Sequence, residues 1–188
     1  MAAVRHDRGV DDRWAAAGLG LDYGVVALRR TTDEWVTVGS ALRERVATVL
    51  AGDGRVEQIG SSSVVGLLAK PIIDLAFGLV AGDDLGHITS ALAADGWVYR
   101  GDAGDSGGHV FVLDSRPQHR VAHLHAVDLG GTQWVNYLRL RDLLRSNPTA
   151  RQAYEDVKVR LAAQHPDDRE AYTEGKTDVV TTLLATVV

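Results

Sequence analysis

Apolar positions recur along this chain in two rhythms, and the change between them outlines the fold. Thr31-Thr32-Asp33-Glu34 has the spacing of a capping box, and Trp35, Val38, Leu42, Val46 and Val49 follow at helical intervals until Ala51-Gly52 stops the pattern. Segments 56–59 and 71–79 are short apolar runs that read as strands, and 83–95 reads as a helix between Gly82 and Gly96 with a stripe at Leu85, Ile88 and Leu92. Further strands are predicted at 97–100, 109–113 and 120–127. The last third changes character: 133–145, 148–163 and 168–187 all carry helical patterns, with Asn147-Pro148 marking a helix start. Residues 1–20, a charged arm followed by small residues, are expected to be loosely ordered, with structure beginning near Leu21. The expectation is an α+β protein, a mixed β-sheet packed with helices and followed by a helical C-terminal third, in a single domain over 21–188.

Composition narrows the function classes. With 188 residues, 45% of them apolar and 24% charged, the chain is long enough for one domain with a real core. A formal charge of -5 leaves no broad basic field, which argues against a protein that wraps nucleic acid. Cysteine is absent, so neither a disulfide framework nor a thiolate metal site is available. The N-terminal segment has no apolar stretch of signal-peptide type, and no run approaches the length of a membrane span, so a soluble cytoplasmic protein is expected.

Candidate chemistry concentrates in residues 57–75, EQIGSSSVVGLLAKPIIDL. Asp74 is flanked by branched apolar residues, and a carboxylate in such a strand needs a cation, a hydrogen bond or a solvent-lined cleft. Gly60, Gly66 and Lys70 faintly resemble a phosphate-binding P-loop, but Lys70 is followed by Pro71 where that motif needs Ser or Thr, so a Walker-type kinase is rejected. Gly60, Ser61 and Ser62 at a strand end can cradle phosphate oxygens, and equally read as a serine turn capping a helix. His123 and His125 stand two apart on a predicted strand and share a face with Val121 and Val127, an arrangement suited to a metal, a substrate anion or a structural hydrogen bond.

A strand, Gly-Ser, a short helix and a strand bearing an aspartate together resemble the nucleotidyltransferase superfold. The match extends to IGSSSVVGLLAKPIIDL at 59–75, HLH at 123–125, YLRLRDLLRSNP at 137–148 and HPDDREAYTEGKTD at 165–178, four blocks whose order is similar to the GrpB family, also called UPF0157. Some members of that family are fused to dephospho-CoA kinases. The resemblance implies a metal-dependent nucleotidyltransferase-like enzyme with an NTP donor and a small-molecule acceptor, nucleic acid and membrane not being expected partners. It implies Asp74 as the catalytic, metal-holding carboxylate, with help from Glu57, His123 or His125 for Mg²⁺ or Mn²⁺, Zn²⁺ being a further candidate.

The same resemblance implies Gly60, Ser61, Ser62, Lys70 and Lys176 as phosphate contacts and Tyr172 as a base or ribose contact, while Tyr172 and Lys176 equally read as a tyrosine packed on the core with an exposed lysine. Arg100 and Arg120 are candidate clamps for anionic substrate groups, and each equally reads as a partner of a surface carboxylate. Lys70 equally reads as a side chain snorkelling from the sheet edge. Arg141, Asp142, Arg145, Tyr154 and Lys158 match the family and read as structural. The chain departs from the family pattern at Gln58, Val65, Ala122 and His109, positions expected around the pocket. Active enzymes of the superfold present Asp-x-Asp, whereas the second position here is Ala76. That gap keeps an alternative in play, a non-catalytic nucleotide- or ligand-binding accessory module.

Overall fold

The computed structural model describes residues 13–52, 54–104 and 107–186. The greater part of the predicted N-terminal arm, residues 1–12, lies outside the described residues.

Two parallel strands form the centre of the molecule. These are β5 (Ile73–Leu79), an apolar run interrupted by Asp74, and β8 (His119–Asp128). Parallel neighbours need a long crossover, which here contains helix α2 (Leu85–Ala94) and two further strands, β6 (Val98–Asp102) and β7 (His109–Arg116). β3 (Val56–Ile59) lies antiparallel outside β5, β7 lies antiparallel on the other side of β8, and β6 closes that edge, giving the order β3-β5-β8-β7-β6. Two residues of β1 (Leu21–Asp22) pair with the start of β8, and β2 (Arg29–Arg30) with β4 (Leu68–Ala69) forms a separate small ribbon. The result is a mixed sheet with helices and a helical C-terminal part.

Helix α1 (Asp33–Val49) and α2 cover one face, because both carry their apolar stripes toward it. Trp35, Val46, Leu75, Phe77, Phe111 and Leu124 are buried together there. On the opposite face α3 (Thr132–Ser146) lies across β3, β5 and β8, and Trp134 packs with Ile59, Ala76 and Val127. Helices α4 (Pro148–Gln164), α5 (Arg169–Glu174) and α6 (Thr177–Ala185) extend this second layer, with Leu67, Leu144, Tyr154 and Leu183 buried between them. No helix among the described residues is long and apolar enough to cross a membrane.

Several local expectations change in three dimensions. The capping box does not form: Thr32 is the N-cap of α1 without a side-chain cap bond, while the Thr31 hydroxyl donates to the Val64 carbonyl and accepts from the Leu67 amide, tying the loop after β3 to α1. The predicted helix 168–187 is two helices, broken around Gly175, where an added Cβ would meet the Leu161 side chain at 2.5 Å. The loosely ordered arm is corrected over residues 13–20. Residues 13–16 are helical, and Trp14 and Leu19, 3% and 4% exposed, belong to the core under α1, with the Trp35 indole donating to the Ala17 carbonyl. Truncating Trp14 to Ala therefore lowers unfolding stability by about 3–5 kcal/mol, the cost of emptying a buried indole site, which a urea titration followed by circular dichroism measures.

Candidate functional site

The face of the sheet that α3 only partly covers carries the polar cluster. Strand register aligns it: Asp74 of β5 pairs with His123 of β8 and with Ile59 of β3, and Ala76 pairs with His125. His123 Nδ1 lies 3.1 Å from Asp74 Oδ1, and the two side chains keep 22% and 29% of their surfaces exposed. Arg120 reaches the same cluster through an irregularity. The β7–β8 register shifts beside Val121, so Arg120 lies opposite Asp114 instead of alternating away from the histidine face. The expectation that Val121 shares the histidine face is corrected accordingly: Val121 is buried in the core of the other face. Arg120 is 5% exposed, donates from Nε to Asp114 Oδ1 at 2.6 Å and from Nη1 to His123 Nε2 at 3.3 Å, and its Nη2 has no partner.

These contacts divide the two histidines. With Nδ1 donating to Asp74 and Nε2 accepting from Arg120, both ring nitrogens of His123 are engaged, so it bridges Asp74 to Arg120. His125 Nδ1 lies 3.2 Å from the Gly107 carbonyl and must donate to it, which leaves Nε2 of the neutral ring as a bare base. Burial holds His125 below its ordinary pKa, the charge of His123 adds to this, and Asp74 and the Gly107 carbonyl oppose it. For Asp74 burial pushes the carboxyl up, but the His123 hydrogen bond and the charges of His123, His125 and Lys70 outweigh it and hold the group below its ordinary value. Tyr137 of α3, which sequence reasoning missed, has its ring 5.6 Å from that of His125, and its phenol is raised to about 12 by burial and then by Asp74.

The Gly-Ser turn is joined to the same carboxylate. Gly60 adopts φ 67°, ψ −171°, backbone open essentially to glycine alone, and a Cβ there would stand 2.8 Å from Asp74 Oδ2. The Asp74 amide donates to Ser62 Oγ at 3.1 Å, and Ser63 Oγ donates to the Gly60 carbonyl at 2.7 Å. Ser62 and Ser63 thus brace the turn, and Ser61 is the serine whose hydroxyl makes no hydrogen bond among the described residues. Ala76 is fully buried against Trp134 of α3.

Cations supply the remaining wall. Lys70, in the link between β4 and β5, and Lys176, between α5 and α6, place their ammonium groups 5.2 and 4.8 Å from the centroid of the Tyr172 ring. Neither makes a hydrogen bond or ion pair among the described residues. Burial lowers Lys70 to about 8, helped by Lys176, Arg169 and Arg120 and opposed by Asp74. Tyr172 is 1% exposed beneath these lysines, so the expected base or ribose contact is corrected to a buried support, its phenol raised by burial and the charges of Tyr154 and Asp74. Lys158, read from sequence as structural, is buried behind them and donates to the Leu68 carbonyl. Burial pushes its pKa well down, and the charge of Lys176 adds to this. Its place in a helical stripe with Tyr154 and Leu161 gave no sign that tertiary packing would bring it near Asp74.

Other expected site residues lie elsewhere or are already engaged. Glu57 shares the Asp74 face but binds Arg141 Nη1 at 2.8 Å, and Arg141 also donates to the Gln58 carbonyl. Arg100 is exposed at the bulge of edge strand β6, two strands from β8, and is not brought to the cluster. The departures expected around the pocket are corrected too. Gln58 faces Gly39 of α1 on the other side of the sheet, Ala122 lies in that core, His109 bonds the Tyr99 hydroxyl, and Val65 is exposed.

Among the described residues no three His, Cys, Asp or Glu side chains gather as a metal-binding group. The donors left on this face are the Asp74 carboxylate and His125 Nε2. They fit a cation that takes its other ligands from water and substrate oxygens, as Mg²⁺ and Mn²⁺ do, better than a closed zinc cage.

Two outcomes follow from this geometry. Gly60→Ala costs about 1–3 kcal/mol in stability from backbone conformation alone and displaces the Asp74 carboxylate, checked by urea unfolding and by the His123 ring resonances. Between the lowered His125 value and the ordinary 6.5, the unfolded chain holds a proton that the folded one does not. Stability from this group is therefore complete above about pH 6.5 and is lost as pH falls below it, and His125→Gln flattens that part of a stability-versus-pH profile.

Comparison with known proteins agrees with the residue pattern. The profile of the family described as GrpB protein matches residues 25–186. A UPF0157 protein of Pseudomonas aeruginosa is 35% identical over 98% of this chain and 75% of its own length, and the glutamate-rich protein GrpB of Alkalihalophilus pseudofirmus is 28% identical over 88% and 98%. The crystal structure of conserved protein GrpB from Enterococcus faecalis superposes with a TM-score of 0.73 at 27% identity, covering 85% of this chain and 98% of that one. The chain belongs to the GrpB family, UPF0157.

Proposed function

We propose that the protein is a metal-dependent nucleotidyltransferase-like enzyme that transfers a nucleoside monophosphate from an NTP to a small-molecule acceptor. The observation that carries this reading is the seating of the Asp74 carboxylate against the Gly60 turn, with the unpartnered ammonium groups of Lys70 and Lys176 close enough for Lys70 to feel the Asp74 charge. A carboxylate beside uncompensated cations is what a metal–phosphate ligand requires. The strand, glycine-serine turn and aspartate-bearing strand also support grouping the sheet with the nucleotidyltransferase superfold.

In this reading an acceptor hydroxyl oxygen bonds to the α-phosphorus as the bond from that phosphorus to the β-phosphate bridge breaks, and pyrophosphate departs with the electron pair. A divalent ion held by Asp74 would neutralise charge on the phosphate oxygens when bound, with His125 Nε2 left uncoordinated. The protein's own groups do the rest. Lys70 and Lys176 counter the negative charge, Ser61 offers a hydroxyl at the turn, and His125 Nε2 is a neutral base able to take the acceptor's proton. His123 fixes Asp74 and Arg120 relative to one another.

One observation favours a second reading. Ala76, where a second metal-binding carboxylate would stand, is packed under Trp134 with no exposed surface, which suits an accessory module that binds a nucleotide without turning it over. Calorimetric titration of the four NTPs with Mg²⁺ and then Mn²⁺ tests the site. Binding to wild type that is lost in Asp74→Asn, with an unchanged circular dichroism spectrum, is the expected result; metal-dependent binding retained in that variant removes Asp74 from the mechanism. Acceptor-dependent pyrophosphate release by wild type separates the enzyme from the accessory module.

A further inference from the structure

The cation cluster is larger than the proposed reaction needs and is not balanced by the protein. Lys70 and Lys176 share the Tyr172 ring and make no ion pair among the described residues. Arg120, nineteen-twentieths buried, keeps Nη2 unpaired while its other nitrogens bind Asp114 and His123. The carboxylates nearby are committed. Glu155 binds Arg30 and the Leu68 amide, Asp114 binds Arg120, and Asp74 is bonded to His123. In the serine turn, by contrast, Ser63 donates its proton to the Gly60 carbonyl and Ser62 Oγ is held by the Asp74 amide.

We infer that Lys70 and Lys176 on the Tyr172 ring, with the free edge of Arg120, form a seat for an oligophosphate chain that is filled without a divalent ion, the Gly60–Ser62 turn contributing little to it. The inference rests on the nucleotide reading for what carries the chain, and it moves the phosphates from the glycine-serine turn to the lysines. Two further cations, Lys176 and Arg120, close enough to act on Lys70 suit an anion of several charges, a di- or triphosphate, better than a single phosphate group. Tyr172 serves as the platform: its buried ring faces and stabilises both ammonium groups. A phosphate chain supplies the missing counter-charge.

A proton accompanies the anion. The groups facing Lys70 are Lys176, Asp74, Arg169 and Arg120, with Lys158 behind. Three of the four facing groups push its proton off, and a bound polyanion reverses the balance. Affinity therefore falls as pH rises above about 8, by at most tenfold per unit while one proton is coupled.

The test is calorimetry at constant ionic strength with EDTA present, titrating tripolyphosphate, pyrophosphate and inorganic phosphate, and ATP with and without Mg²⁺, into wild type, Lys176→Met and Arg100→Met. Lys176 is only half-buried and lies between helices, so its variant is chosen over changes at Arg120; Arg100→Met removes the same charge from the distant edge strand. The expected result is metal-free tripolyphosphate binding at least tenfold tighter than inorganic phosphate, weakened tenfold or more by Lys176→Met and unchanged by Arg100→Met. Equal weakening in both variants, or no metal-free binding while Mg²⁺-ATP still binds, overturns the inference and leaves the nucleotide reading standing. Tripolyphosphate binding with no affinity for any NTP upholds the seat and removes the nucleotide reading. Absence of binding by every probe overturns both.

Discussion

The structure depends on how one carboxylate is held in a strand otherwise built for the core. Asp74 sits in β5 between residues that are nearly inaccessible, and leaving it uncompensated there would be costly. The parallel pairing of β5 with β8 answers this by setting His123 directly beside it. From there polar contacts run through His123 to Arg120 and on to Asp114, so that an arginine lies between two carboxylates and the His123 ring transmits the contact. Each member needs the next. Removing His123 would leave Asp74 without its bridge and Arg120 with a second unpaired nitrogen, which is why the register of two strands and a bulge on β8 are part of the site's chemistry.

The helical third exists in this arrangement to complete that face. Helix α3 covers its far end through Trp134 and binds the carbonyls of Gln58 in β3 and Ser63 in the serine turn through Arg141 and Arg145. Helix α4 binds both backbone groups of Leu68, through Glu155 and Lys158, which fixes the short ribbon from which Lys70 projects. The α5–α6 break delivers Lys176 to the ring of Tyr172. The sheet thus provides the anionic and basic groups, and the helices and their links provide most of the cations.

What could be read from sequence follows from which interactions are local. Strands β3 and β5 and helices α1, α2, α3 and α4 were legible because their apolar periodicity is set by the face they bury, and Gly60 and Asp74 stood out because each is anomalous in its own strand. Pairing contacts were not legible. Nothing within the run His119 to Asp128 shows that the register shifts at Val121, so Arg120 read as an ordinary strand residue of uncertain partner and Val121 as a neighbour of the histidines. The two histidines looked equivalent because spacing fixes their face but not what each ring nitrogen meets. Trp14 fell in the arm expected to be loosely ordered for the complementary reason: one indole in a polar segment has no periodicity to show that it is core, although it supplies a large buried surface.

Ala76 is the residue at which the two views of the site meet. A methyl group there lets Trp134 close over the sheet, and a carboxylate in the same place would have to be buried against an indole with its charge unmatched. The same packing that stabilises α3 on the sheet therefore removes the room for a second carboxylate, and the charge that it would have brought is absent. On the proposed nucleotide reading, a site with one carboxylate and several cations would hold its phosphates more by the protein's own positive charge than by ions bridged between aspartates. In that reading Lys70 and Lys176, without ion pairs among the described residues, would meet the phosphates, and the neutral His125, beside Ala76 in register, would be the group to handle a proton.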